Sequence, residues 1–304
     1  MSIKVNELTK YYGSQKALDS VSFEVKPGQI VGFIGPNGAG KTTAMKILTG
    51  YMMPNSGEAW INGKNALEET LEIRKDIGYL PEHNPLYTQM FIKEYLEYVS
   101  GLYRLGRKTE ERINEVIDLT GLDKEKTKKI GTLSKGYRQR VGLAQAIIHD
   151  PGVLILDEPT TGLDPNQIAE IRNLISRLGE EKTVLLSTHI MQEVEAICDR
   201  IIVINNGRIV ADDKVENISS GLEENKQTVQ IEFNSEVNEN ELAEIEGVNK
   251  VRKVDGKNWL LESLEEEDIR QRIFDFAVQS GRSVLSMQKK EKSLEQVFQD
   301  LTRE

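Results

Sequence analysis

Three features of this 304-residue sequence predict an α/β fold with a small α+β domain appended. An apolar run, Ile30 to Ile34, enters the glycine-rich loop Gly35-Pro36-Asn37-Gly38-Ala39-Gly40-Lys41-Thr42-Thr43, which opens onto the helical Ala44-Met45-Lys46-Ile47-Leu48. A second apolar run, Val153 to Leu156, reads as a buried strand of parallel type and ends in Asp157-Glu158. From about Glu223 such motifs stop, and short strands alternate with short helices.

The loop's chemistry follows from its residue types. Gly35, Gly38 and Gly40 let the backbone turn tightly and bring N–H groups onto phosphate oxygens. The helix start adds partial positive charge at the same point. Lys41 can reach outer phosphates, and the Thr42 hydroxyl is placed to ligate Mg²⁺. Gly-x-x-x-x-Gly-Lys-Thr between a strand and a helix is the phosphate-binding P-loop.

Composition narrows the class. Hydrophobic residues make up 38% and charged residues 29%, as in globular proteins, and a net charge of -10 argues against a general electrostatic grip on nucleic acid or anionic lipid. The single cysteine, Cys198, excludes an internal disulfide framework and reads as a small buried hydrophobe. No apolar run approaches the ~20 residues that cross a bilayer, and Met1 to Glu7 lack signal-peptide organisation. The chain is expected not to form a membrane channel itself.

In chain order, strands are expected at Ile3–Leu8, Val21–Val25 and Ile30–Ile34. Tyr12 sits ahead of the second, where it could stack on a base or cover a sheet end. Glu58 to Gly63 reads as an edge strand closed by Asn-Gly, and Lys75 to Leu80 as a strand stopped by Pro81, with Glu82 next. Ile92, Tyr95, Leu96, Val99, Leu102 and Tyr103 share one face of a helix, and Ile113, Val116 and Ile117 begin another. Residues from about 83 to 150 therefore form an inserted helical lobe, with the aromatic stripe in its core. The lobe closes on Ser134-Lys135-Gly136, a plausible helix N-cap with a glycine that permits close backbone approach.

Beyond Asp157 and Glu158, which emerge where open α/β sheets face the ligand crevice, Asp157 suits the outer sphere of an ion held by Thr42. Glu158, one residue on, points elsewhere and can hold a water. Asp164-Pro165 turns the chain into a helix, Val184 to Ser187 is buried strand ending in Thr188-His189, and Asn205-Asn206-Gly207 marks a hairpin. In the C-terminal part, strands at 228–233, 248–254, 259–261 and 284–287 alternate with helices near 239–246 and 269–277. Ser293-Leu294-Glu295-Gln296 is a capping box for a last helix. The acids Glu262, Glu265, Glu266, Glu267 and Asp268 read as a solvated helix start, with no metal role.

Over residues 2–217 this order of motifs resembles the nucleotide-binding subunit of an ATP-binding cassette (ABC) transporter. Gly35 to Thr43 match the Walker A loop, Leu154 to Glu158 Walker B with its catalytic glutamate, and Leu133-Ser134-Lys135-Gly136-Tyr137 the signature. Gly162-Leu163-Asp164 resembles the D-loop, His189 the switch histidine and Tyr12 the adenine-stacking aromatic. Two departures stand out. Glu82 replaces the Q-loop glutamine but still offers an oxygen to Mg²⁺ or to water, and Lys135 and Tyr137 replace a glycine and a glutamine of the signature.

The resemblance implies a mixed core sheet, an antiparallel β subdomain, the helical insertion, and domains at 1–219 and 220–304. It implies MgATP bound with Tyr12, the Walker A loop, Ser134, Gly136 and Asp164 as nucleotide-binding residues. Catalysis falls to Glu158, His189 and Glu82, and metal binding to Thr42, Glu82 and Asp157. It implies a head-to-tail dimer on ATP binding, with a second copy or a homologous ATPase subunit, a separate integral membrane permease reached through the lobe and Glu82, and a cytoplasmic place at the inner face of the membrane. The signature and the closing Ser-Leu-Glu-x-Val-Phe resemble one subgroup, bacterial gliding-motility ATPases and their drug- or sodium-export relatives. Two other functions stay open: a soluble ABC ATPase acting on ribosomes or DNA, which usually carries two cassettes, and an interaction protein that does not hydrolyse.

Overall fold

Long strands come first. In the computed structural model, which describes residues 2–219, 227–264, 268–289 and 294–302, β1 (Ile3–Tyr12) pairs antiparallel with β2 (Gln15–Val25). Both run further than the apolar segments predict, because bulges absorb the interruptions. Glu7 and Ser20 take left-handed backbone angles (φ 47° and 51°). The Glu7 amide donates to Ser22 Oγ at 2.8 Å, and the Ser20 amide to Thr9 Oγ1 at 3.0 Å.

After β3 (Ile30–Ile34) and α1 (Lys41–Leu48) come β4 (Ser56–Ile61), the two-residue β5 (Lys64–Asn65), α2 (Thr70–Asp76) and β6 (Ile77–Leu80). The strand expected from Lys75 thus begins only at Ile77. Lys75 and Asp76 finish a helix that shows no periodicity in the sequence. Ile73 of that helix is fully buried, and Lys64 Nζ reaches Asp76 Oδ2 at 2.9 Å.

The helical insertion holds α3 (Ile92–Leu102), α4 (Thr109–Leu119) and α5 (Lys135–Ile147). Ile92, Tyr95, Leu96 and Val99 are buried as their spacing predicts, but Leu102 is 65% exposed. It is the last residue of its helix, and the buried contact passes to Tyr103, whose ring stacks on His149 at 3.7 Å. Then follow β7 (Val153–Asp157), α6 (Pro165–Gly179), β8 (Thr183–Thr188), α7 (Met191–Ile197), β9 (Arg200–Asn205) and β10 (Arg208–Lys214).

These strands make two sheets. One is antiparallel, in the order β2-β1-β4-β5; the other runs β10-β9-β3-β8-β7-β6, parallel except for the β9–β10 hairpin. The hairpin turns through Asn206 and Gly207, both at positive φ. In the parallel sheet β3, β7 and β8 are buried along their whole length, which explains their unbroken apolar runs. Their carboxyl ends carry Gly35, Asp157-Glu158 and Thr188-His189 to one side of the sheet.

The chain divides into two compact units, Met1–Val215 with Leu301–Glu304, and Glu216–Asp300. The short α8 (Val215–Ser219) begins at the division. In the second unit β11 (Gln227–Phe233), α9 (Glu239–Ala243), β12 (Lys250–Asp255), β13 (Asn258–Ser263), α10 (Arg270–Gln279) and β14 (Val284–Lys289) precede α11 (Leu294–Thr302). The sheet order β12-β13-β11-β14, antiparallel throughout, is that of a split β-α-β unit repeated once. Alternate residues Val229, Ile231 and Phe233 face Trp259, Leu261, Leu242 and Ile273 in one core. Ser293 of the expected capping box and the acids Glu265, Glu266 and Glu267 lie outside the described residues. Asp268 is held by Arg270, and among the described residues no cluster of acids, histidines or cysteines is arranged to hold a metal.

Candidate nucleotide site

The loop between β3 and α1 is shaped by glycine. Gly40 caps α1 at φ 113°, and a Cβ placed there would sit 2.5 Å from the Ala17 carbonyl oxygen. The first turn of α1 carries no acidic residue, so its free N–H groups face no carboxylate of their own helix. Lys41 is buried, with Nζ donating to the carbonyls of Gly35 (2.8 Å) and Pro36 (3.3 Å). Burial lowers its pKa, and the carboxylates of Glu158, Asp157 and Glu82 act against that shift.

Asp157 ends β7, directly opposite Ser187 of β8. Its Oδ1 accepts from Ser187 Oγ at 2.6 Å and from Thr42 Oγ1 at 3.3 Å. Its Oδ2 is buried and has no hydrogen-bond partner among the described residues. Burial raises the Asp157 pKa, the two hydroxyl bonds oppose the rise, and the nearby Glu82 and Glu158 charges add to it.

Glu158 leaves the strand at φ 50°, a left-handed angle uncommon outside glycine, which turns its side chain away from that of Asp157. Its Oε2 accepts from Thr161 Oγ1 at 3.0 Å and meets His189 Nδ1 at 2.9 Å, while Oε1 lies 3.9 Å from Lys41 Nζ. A carboxylate only accepts, so the His189 proton sits on Nδ1 in this contact and Nε2 is left free for a ligand.

These groups surround a cavity of about 500 Å³ lined by Tyr12, Asn37, Gly38, Gly40, Lys41, Thr42, Thr43, Glu82, Glu158 and His189, together with Gln15, Ala17 and Thr161. Of the residues singled out in the sequence, Gly35, Pro36 and Ala39 form the back of the loop rather than the cavity wall, and the fully buried Asp157 stands behind Thr42 without lining the cavity. Three others lie apart from it. Ser134 caps α5 by accepting from the Tyr137 amide at 3.4 Å. Gly136 is buried where a Cβ would come within 2.6 Å of the Gln167 side chain. Asp164 caps α6, accepting from the Gln167 amide at 3.0 Å.

Gln15, Ala17 and Thr161 escaped sequence reasoning. Gln15 pairs with Tyr12 across the β1–β2 hairpin, so the hairpin register would have found it. Thr161 lies three residues after Glu158, in the turn that brings its hydroxyl back to the carboxylate.

The family model described as ABC transporter matches residues 18–161. The bacitracin transport ATP-binding protein BcrA of Bacillus licheniformis is 34% identical over 307 residues, 97% of this chain and 95% of its own length. The chain belongs to the ATP-binding proteins of ABC transporters. A solved ATP-binding subunit of an ABC transporter superposes on this ABC protein with a TM-score of 0.66 at 31% identity, covering 72% of this chain and 92% of its own. A dimeric cassette, MJ0796, bound to ADP and Pi in a post-hydrolysis state, gives 0.65 at 28% identity over 70% of this chain and 98% of its own. The ABC protein is thus an ATPase, converting ATP and water to ADP and phosphate in the service of transport.

Mg²⁺ is the usual cofactor of such ATPases, and the residues fit it. Asp157 presents an unpartnered buried oxygen beside the Thr42 hydroxyl, an all-oxygen donor set of the kind this hard cation takes. Among the described residues no helix is long and apolar enough to cross a membrane.

Proposed function

We propose that this ABC ATPase binds MgATP in the cavity between the glycine loop and the ends of β7 and β8, and drives a separate membrane permease. The observation that carries the reading is the grip on Glu158. One carboxylate oxygen is held by Thr161 and His189, and the other stands 3.9 Å from Lys41 at the cavity wall. Phosphoryl transfer to water asks chiefly for positioning and for charge opposite the phosphates. Lys41 and the α1 amides supply that charge, and Tyr12 offers a ring face to the base. Thr42 and Asp157 would hold Mg²⁺, which neutralises phosphate charge when bound, and Glu82 offers a further oxygen. Glu158 takes the proton of the attacking water, and His189, with a proton on each ring nitrogen, donates from Nδ1 to Glu158 and from Nε2 to the γ-phosphate.

Ser134, Gly136 and Asp164 stand outside this cavity in the single chain. We assign them to the nucleotide of a second, head-to-tail copy, which ATP joins to the first. The signature helix supports this assignment, since α5, like α1, has no acidic residue in its first turn.

The helical lobe presents Tyr87, Phe91 and Tyr98 at 44–55% exposure, with Tyr87 and Tyr98 ring centroids 5.6 Å apart. Clustered exposed aromatics suit a protein partner, and we assign this face, with Glu82, to the permease. That docking would hold the ATPase at the inner face of the membrane. The likeness to a bacitracin transport protein runs through the C-terminal unit and supports transport of a drug-like substrate, for which we propose the outward direction. The C-terminal unit, taken from about residue 220, is then an accessory domain.

Glu158→Gln is the test. Its amide oxygen can still accept from Thr161, but it cannot take a proton. ATPase turnover should fall about 10²–10⁴-fold while ATP binding persists and MgATP accumulates a dimer on gel filtration. Turnover at the wild-type rate would sink the assignment.

A further inference from the structure

Ser187 is fully buried at the end of β8, beside the strand that delivers both site carboxylates. Its hydroxyl makes two contacts. Oγ lies 2.6 Å from Asp157 Oδ1 and 3.0 Å from the Glu158 amide nitrogen. An amide nitrogen can only donate, so the hydroxyl lone pair goes to Glu158 and its proton must go to Asp157. The direction of both bonds is therefore fixed by chemistry.

We propose that Ser187 is a positioning residue for Mg²⁺-dependent nucleotide binding, acting through Asp157. The inference rests on the reading of Thr42 and Asp157 as the metal-holding pair. By occupying Oδ1, the Ser187 hydroxyl fixes the rotation of the carboxyl group, so that Oδ2 is the oxygen left without a partner. A short hydrogen bond to an ionised acceptor is among the stronger kinds, and the Thr42 contact to the same oxygen is long at 3.3 Å. Without Ser187, little else holds Asp157 to one orientation.

The same hydroxyl also steadies the neighbouring residue. The Glu158 amide is shared between Ser187 Oγ and the Ser187 carbonyl at 3.2 Å. This double hold pins the backbone at the point where Glu158 adopts its left-handed angle. One buried serine thus sets the divergence of two adjacent carboxyl groups, one toward the metal and one toward Thr161 and His189.

The experiment measures ATP affinity of the full chain by calorimetry, with Mg²⁺ and in excess EDTA, for the wild type, Ser187→Ala and Thr42→Val. Ser187→Ala should lose about tenfold of the affinity that Mg²⁺ adds, while its EDTA affinity stays within about twofold of wild type. The Mg²⁺ concentration giving half-maximal hydrolysis should rise by a similar factor. If Ser187→Ala keeps the full Mg²⁺ effect, the proposal is overturned. It is equally overturned if affinity falls by the same factor with and without Mg²⁺, because the serine would then be a structural prop of the cavity. Thr42→Val separates the two levels. Should it leave the Mg²⁺ effect intact, the metal reading itself fails; should it abolish the effect while Ser187→Ala does not, only the role of Ser187 falls.

Discussion

The two compact units solve the same packing problem with different amounts of strain. Among the described residues, every non-glycine residue at positive φ (Glu7, Ser20, Asn62, Arg104, Asp150, Glu158 and Asn206) belongs to the first unit. So do the buried charges Lys41, Asp157, Glu158, Lys182 and Glu193. In the second unit positive φ is confined to glycines, and the buried polar groups described are Ser263 and the unpartnered Nε1 of Trp259, neither of them charged. A left-handed non-glycine residue costs on the order of 1 kcal/mol or more, and a buried unpaired polar group a similar amount. Such features persist where the surrounding structure over-determines them. Glu158, Asp157 and Lys41 bring them together at one cavity.

If that contrast is functional, changes in the two units should have opposite signatures. Glu158→Gln should give the largest effect, a loss of turnover of about 10²–10⁴-fold with little change in unfolding midpoint. Phe233→Ala should do the reverse. Phe233 is fully buried in the second core, and its truncation should cost that unit about 3–5 kcal/mol. Each unit carries one of the two tryptophans, Trp60 in the first and Trp259 in the second. Denaturant unfolding followed with Trp259 as sole tryptophan should shift to lower midpoint, while the Trp60 signal and ATP affinity stay put. Equal shifts of both signals would break the comparison.

A third effect is expected in the first unit away from the cavity, at a histidine buried in its neutral form. His149 Nε2 lies 3.0 Å from the Ile77 carbonyl, which only accepts, so Nε2 carries the proton and the buried Nδ1 has no partner. Burial is the main cause that pushes its pKa down to about 4, and the Arg112 and Lys182 cations assist. Below pH 6.5 the unfolded chain therefore binds a proton that the folded chain refuses. The stabilising contribution is whole above pH 6.5 and is lost as pH falls toward 4, amounting to about 3 kcal/mol. Replacement by phenylalanine, which keeps a ring against Tyr103, should flatten the fall in stability between pH 6.5 and 4. An unchanged slope in denaturant titrations across that range would place the acid sensitivity elsewhere.

The same contrast explains what was legible in the sequence. Gly35 to Thr43, Asp157, Glu158 and His189 could be read because strand ends bring chemistry to one place, and the apolar runs of β3, β7 and β8 mark those ends plainly. Thr161, Gln15 and Ser187 could not, since each acts through one hydrogen bond or one cross-strand register that no periodicity encodes. The helices α2 and α7 were missed because each is only seven residues long, too short to show an apolar stripe. In the second unit the elements were visible, but their order in the sheet was not. Strand order depends on which edges meet, and alternation within a strand says nothing of its neighbours.

The smallest expected effect tests whether exposure near the cavity differs in kind from exposure elsewhere. Tyr12 and Phe274 are exposed to nearly the same degree, 46% and 47%, one in each unit. Tyr12 lines the cavity, with its hydroxyl 3.0 Å from Met52 Sδ and Lys10 Nζ 5.9 Å from its ring centroid. Those contacts restrain the ring before any ligand arrives, so stacking a base on it costs little ordering entropy. Phe274, on α10, lines neither of the two cavities described in the molecule. Tyr12→Ala should therefore weaken nucleotide binding by about 1–3 kcal/mol, and because any purine offers a π-face, ATP and GTP should lose equally. Phe274→Ala should leave both affinities unchanged. A fluorescent-nucleotide titration that found Tyr12→Ala as tight as wild type would remove the ring from the binding site and leave Tyr12 as a cover for the end of β1.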